Sequence, residues 1–106
     1  MANNYKNSKV DLSSTSITTL YTCPASTTAL VKSILVSEDS GNADTITLTI
    51  TSGTDVFSLF KVKAVGANGT VELLTAPLVV QASEILKVTA ATANRLHVVA
   101  SYLELT

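Results

Sequence analysis

The chain has 106 residues, 46% of them apolar and 14% charged, with a formal net charge of −1, a mean hydropathy of +0.38 and a pI near 5.6. That is the length of one domain, and its seven Lys and Arg are scattered from Lys6 to Arg95, which argues against a nucleic-acid partner because phosphate backbones are bound by clustered cations. No apolar run approaches the ~18 residues of a membrane-spanning helix, so an apolar content this high in so small a chain points to burial against other protein.

Residues 1–14 are polar and rich in Asn and Ser, and read as an N-terminal arm ahead of a domain over 15–106. "MANNYKNSK" has no apolar core segment, so no secretory leader is expected. "TSITTLY" (15–21) is the first strand signal, stopping at Cys23-Pro24 where proline removes a backbone donor. "ALVKSILVS" (29–37) follows, then the turn cluster "EDSGNAD". In "TITLTIT" (45–51) Ile46, Leu48 and Ile50 alternate with four threonines, the period of a strand. Ser52-Gly53-Thr54 returns the chain into "DVFSLFKVK" (55–63), which predicts a hairpin.

"GANG" (66–69) is a second turn whose glycines can take positive φ. "TVELL" (70–74), "LVVQ" (78–81), "EILKVTAA" (84–91) and "RLHVVASYLEL" (95–105) complete the series. No segment keeps a helical period. About seven to eight short strands with frequent turns predict an all-β fold: one antiparallel β-sandwich, jelly-roll or immunoglobulin-like. The immunoglobulin pattern of Cys, Trp and a second Cys is missing, since the chain has no Trp and one Cys.

Several strands are apolar on both faces. Strict alternation sets Leu30, Ile34 and Val36 against Val31 and Leu35, and Val56, Phe60 and Val62 against Phe57 and Leu59. In the last strand Leu96, Val98 and Tyr102 oppose Val99, Leu103 and Leu105. A free sandwich needs one buried face per sheet. The surplus face is therefore expected either to meet another subunit or to lie beneath loops or the N-terminal arm, the subunit reading being favoured. The candidate interface is Leu96, Val98, Val99, Tyr102, Leu103 and Leu105, with Phe57 and Leu59. Threonine opposite the apolar side chains suits such a chain, because it has high strand propensity and loses little rotamer entropy when buried, whereas Lys and Glu lose up to about 2 kcal/mol. The same threonines are equally at home on a solvated sheet.

Residues able to carry chemistry are sparse. His97 is the one histidine, so no His-based metal cluster exists, and a zinc site needs several Cys or His ligands. A Ser-His-Asp triad would have to use it, and no G-x-S-x-G elbow is present. Cys23 has no neighbouring base to lower its pKa and reads as a small buried hydrophobe. The acidic turn with Glu38, Asp39 and Asp44 lacks the EF-hand spacing, and ordinary turn chemistry is preferred to a bound cation. With no Trp, three Tyr and two Phe, aromatic platforms for sugars or single strands are few, and Phe57 and Phe60 are expected in the core. The reading is of a non-enzyme without cofactor.

"TTLYTCPASTTALVKSILVS", "FSLFKVKAVGANGTVELL" and "LVVQASEILKVTAATANRLHVVASYLEL" together resemble small structural proteins of tailed bacteriophages. In that group an LYT-x-PA stretch followed by VKSI opens the domain, and LKVTA leads into a closing VVAS-x-LE strand. The resemblance covers residues 15–105, departs from the pattern at Cys23, and carries no catalytic or ligand residues. It implies a virion protein assembled in the host cytoplasm. The first expectation is a capsid decoration (cement) protein that forms a homo-oligomer, a trimer among the forms considered, and binds the major capsid protein. The second is a tail, neck, baseplate or fibre-attachment component. A receptor- or glycan-binding module ranks third.

Overall fold

Every strand signal read above becomes a strand in the computed structural model, which describes residues 3–106. The nine strands are β1 (Asn3–Asp11), β2 (Thr18–Thr22), β3 (Thr28–Glu38), β4 (Asp44–Ser52), β5 (Asp55–Val65), β6 (Thr70–Glu72), β7 (Leu78–Val80), β8 (Ile85–Ala90) and β9 (Leu96–Leu105). No helix occurs among the described residues. The number exceeds the expected seven to eight because the N-terminal segment supplies one.

All pairings are antiparallel. One sheet runs β1-β9-β3, with β7 and β6 end to end along the far edge of β3; the other runs β2-β8-β4-β5. The chain behaves as one long hairpin whose tip is the Gly53-Thr54 turn between β4 and β5. Outward from that tip, β3 pairs with β6 and β7, β2 with β8, and β1 with β9. Rolling this ribbon upon itself places β9 beside β3 and β8 beside β4, which is the jelly-roll form of the sandwich. At the tip Gly53 has φ +62°, as a two-residue turn with positive φ at its first position requires.

The core lies between the sheets. Ile34, Val36, Leu48, Leu86, Val88 and Val98 are among the side chains with no exposed surface. Ile46 and Leu48 enter this core from β4, as their alternation predicts, while Thr45, Thr47 and Thr49 face outward beside Thr89 and Lys87 of β8.

β3 departs from strict alternation. Its pairing with β9 shifts between Val31 and Ser33, so Lys32 is an extra residue in a β-bulge. The bulge reverses the phase of the strand. Ala29 and Val31 point inward before it, Ile34, Val36 and Glu38 after it, and Leu30 joins Leu35 outside. The expected grouping of Leu30 with Ile34 is thereby corrected.

The segment read as a polar arm is, over Asn3–Asp11, a strand paired with β9 along its whole length. Its composition is polar because an edge strand needs few apolar contacts and because its inner face meets polar groups. Lys6 Nζ lies 2.8 Å from Glu104 Oε1, and the Ser8 and Tyr102 hydroxyls are 2.9 Å apart. Glu104, on β9, is almost fully buried and also accepts a 2.6 Å bond from the Tyr21 hydroxyl of β2. One carboxylate therefore ties the two sheets and the N-terminal strand together. Its pKa is held low by the bonds from Lys6 and then Tyr21. The Tyr21 hydroxyl is pushed up by burial and by its bond to Glu104.

Candidate functional site

The cross-strand register arranges the outer face of the larger sheet in rows, because directly paired residues share a face. One row crosses four strands as Tyr5, Leu103, Leu30 and Val79. A second runs Lys9, Val99, Leu35 and Glu72. Between them lies a polar row of Asn7, Ser101 and Ser33. Beyond the second row come Asp11, His97, Ser37 and Thr70. Tyr5 is 75% exposed, Val79 51% and Leu35 41%, values far above those of a packed core. Leu30, Val99, Leu103 and Leu105 are half-buried by their neighbours in the sheet. The Lys32 ammonium, carried outward by the bulge, sits 5.7 Å from the centre of the Tyr5 ring, within cation–π range. Residues 3–11 pair at the edge of this sheet, so they do not cover its face.

The eight residues expected at an interface divide three ways. Val99, Leu103 and Leu105 lie on this outer face. Leu96, Val98 and Tyr102 point into the sandwich and are buried within the chain; they belong to the core, because alternate residues of β9 take opposite faces. Phe57 and Leu59 lie on β5, the edge strand of the other sheet, exposed by 56% and 36%. Phe57, expected both in the core and at the interface, is therefore a surface residue. β5 carries two irregularities in its pairing with β4, and Val62 beside them has φ +55°, an uncommon conformation for a β-branched residue. Its N–H is held by Thr47 Oγ1 at 3.1 Å. Bulges and the flanking Lys61 and Lys63 blunt this edge against strand addition.

The sequence missed Tyr5, Leu30, Leu35 and Val79 as members of the outer face. Leu30 and Leu35 were visible as apolar but assigned to opposite sides, and nothing in a 3-residue strand such as β7 marks which way Val79 turns.

The polar clusters hold backbone. The Glu38 carboxylate accepts from the Ser40 hydroxyl and from the N–H groups of Ser40, Gly41 and Asn68, the last three at 2.7, 3.0 and 3.0 Å. It joins the turn after β3 to the 66–69 turn, where Asn68, not a glycine, takes positive φ. Burial raises its pKa, but those bonds outweigh it and bring the group to about 2. Glu72 accepts from the Ser33 hydroxyl and the N–H groups of Ile34 and Leu74; these overcome the opposing effect of burial and lower its pKa. Asp44 accepts from the Thr92 N–H at 3.1 Å. His97 meets Asp11 through Nε2 at 3.3 Å and Asp39 through Nδ1 at 3.5 Å, so its nitrogens point at different carboxylates and do not converge on one point. Cys23 is buried, its thiol 3.3 Å from the Thr27 carbonyl.

No family model and no curated protein matches the chain. Among solved structures there is a likeness to a pentameric capsid protein isolated from metagenomic phage sequences, with a TM-score of 0.45 and 21% identity, covering 94% of this chain and 61% of that one. This chain thus spans less than two-thirds of that protein.

Proposed function

We propose that the protein is a non-enzymatic virion structural component of a tailed bacteriophage, a capsid decoration protein that oligomerises and stabilises the assembled shell through protein–protein contacts. The observation that supports this reading is the outer face of the β1-β9-β3-β6/β7 sheet, where Tyr5, Val79 and Leu35 are exposed and Leu30, Val99 and Leu103 are half-buried in the single chain. Large exposed apolar patches rimmed by polar residues mark contact surfaces. The phage assignment rests on the sequence resemblance over residues 15–105.

The mechanism is linkage. A protein that binds the assembled shell, and not free capsid subunits, lowers the free energy of the shell by RT ln(1 + [L]/Kd) per site, about 2.7 kcal/mol at a hundredfold excess over Kd. Summed over many sites, contributions of this size resist dissociation of the particle. The test is co-sedimentation with purified particles and the copy number of bound chains. Many copies per particle are expected, with binding abolished by Val99→Asp or Leu103→Asp, since a buried unpaired charge costs several kcal/mol. A few copies confined to the tail would replace decoration with a tail role. A chain that neither self-associates nor binds particles would refute the proposal.

A further inference from the structure

We infer that the outer face of the larger sheet binds the same face of a second copy about a two-fold axis parallel to the strands, between β9 and β3. The inference rests on reading that face as a protein interface, but not on the virion role.

The register supplies the argument. A two-fold axis in that position reverses the order of the columns and preserves the rows. The row Tyr5-Leu103-Leu30-Val79 then meets its own reverse, so Leu103 lies opposite Leu30 of the other copy and Tyr5 opposite Val79. In the second row Val99 lies opposite Leu35, and Lys9 opposite Glu72. In the last row His97 faces Ser37 and Asp11 faces Thr70, a carboxylate against a hydroxyl. Apolar thus meets apolar in the first row and in the middle of the second, while Lys9 and Glu72 at the rim meet their opposites, twice by symmetry. The row between sets Ser101 against Ser33, with the Lys32 ammonium lying over the Tyr5 ring. Such self-complementarity is what an isologous contact requires.

Charge and size agree with this occupant. Lys9 is exposed and enters none of the intrachain ion pairs among the described residues. Glu72 is an exposed residue whose carboxylate is anchored by Ser33, Ile34 and Leu74. With strands about 4.8 Å apart, both columns stand about 7 Å from the axis, and stacked sheets lie about 10 Å apart, within reach of a lysine. Four strands by some eight residues form a face of roughly 19 by 27 Å. Two such faces bury about 1,000 Å² in all, the lower bound of a specific interface.

The experiment is sedimentation equilibrium of the full chain, followed by zero-length carbodiimide cross-linking of a mixed ¹⁴N/¹⁵N sample. Within one chain, β1 and β6 are separated by three strand spacings, about 14 Å, so a Lys9–Glu72 amide reports the second copy. The expected result is a species of twice the 11.1 kDa chain mass and a mixed-isotope Lys9–Glu72 peptide. Lys9→Glu, an exposed change that leaves folding intact, weakens the dimer about tenfold by turning two rim attractions into repulsions. Leu103→Glu weakens it about a hundredfold or more. A monomer at 100 µM, an odd-numbered oligomer, or a dimer lacking the cross-link and indifferent to Lys9→Glu overturns the inference. Particle binding by a monomer would overturn it while leaving the proposed function standing.

Discussion

Deleting Lys32 removes a residue from the middle of a central strand, a change that normally destroys a sheet, yet the bulge predicts that the fold survives it. In β3 the inward residues are Ala29, Val31, Ile34 and Val36, and removing Lys32 makes their spacing regular. The variant loses the Lys32–Tyr5 contact, about 0.5–1 kcal/mol at an exposed site, and gains about 1–2 kcal/mol because one residue fewer must be ordered. The net change therefore lies between about zero and 1.5 kcal/mol in favour of the variant, or under about 12 °C in Tm for a domain of this size. Deleting Leu35 is the control. It moves Val36, fully buried, to the outer face, which costs about 1.5–3 kcal/mol, and turns the Ser37 hydroxyl inward without a partner, about 1–3 kcal/mol more. It also pulls Glu38 away from the four donors that hold its carboxylate. That total rivals the entire stability of a small domain. Thermal unfolding followed by circular dichroism measures both variants. A Lys32 deletion that fails to fold, or that loses as much as the Leu35 deletion, would refute the reasoning about phase.

Two further outcomes follow from the buried carboxylates. Glu38 has a folded-state pKa of about 2, below its unfolded value of about 4.3, so the folded protein favours the ionised form. Its contribution is complete above about pH 5 and is lost as the pH falls through 4 toward 2; the Tm of Glu38→Gln should accordingly fall less steeply over that interval than that of the native chain. Tyr21→Phe removes the 2.6 Å bond to Glu104 and should lower stability by about 1.5–3 kcal/mol, the range for hydrogen bonds to charged groups. Its oligomer size should stay unchanged, because Tyr21 is buried between the sheets; a denaturant midpoint equal to that of the native chain would sink this assignment.

The division of β9 shows how much of the site was legible. Its strict alternation separated Leu96, Val98 and Tyr102 from Val99, Leu103 and Leu105, and the structure keeps both groups. Which group faced the core was not readable, since both are equally apolar. β3 was harder, because one extra residue exchanges the faces on either side of it and Lys32 carries no mark of a bulge. Phe57 was placed inside on its hydrophobicity alone, whereas its position on an edge strand leaves it exposed. β1 was unreadable for the opposite reason: its polar residues are satisfied by Glu104 and Tyr102, which lie more than ninety positions away.

Strand periodicity and turn chemistry are local properties, set by backbone sterics and by side chains two residues apart, and they determined from the sequence that this protein is an antiparallel sandwich with more apolar face than one core can absorb. The winding of the ribbon, the recruitment of the N-terminal segment and the direction of each apolar face were decided only in three dimensions. Those choices depend on which distant strand supplies the missing backbone partners and on which face of the sheet the second layer covers, and no stretch of chain records either by itself.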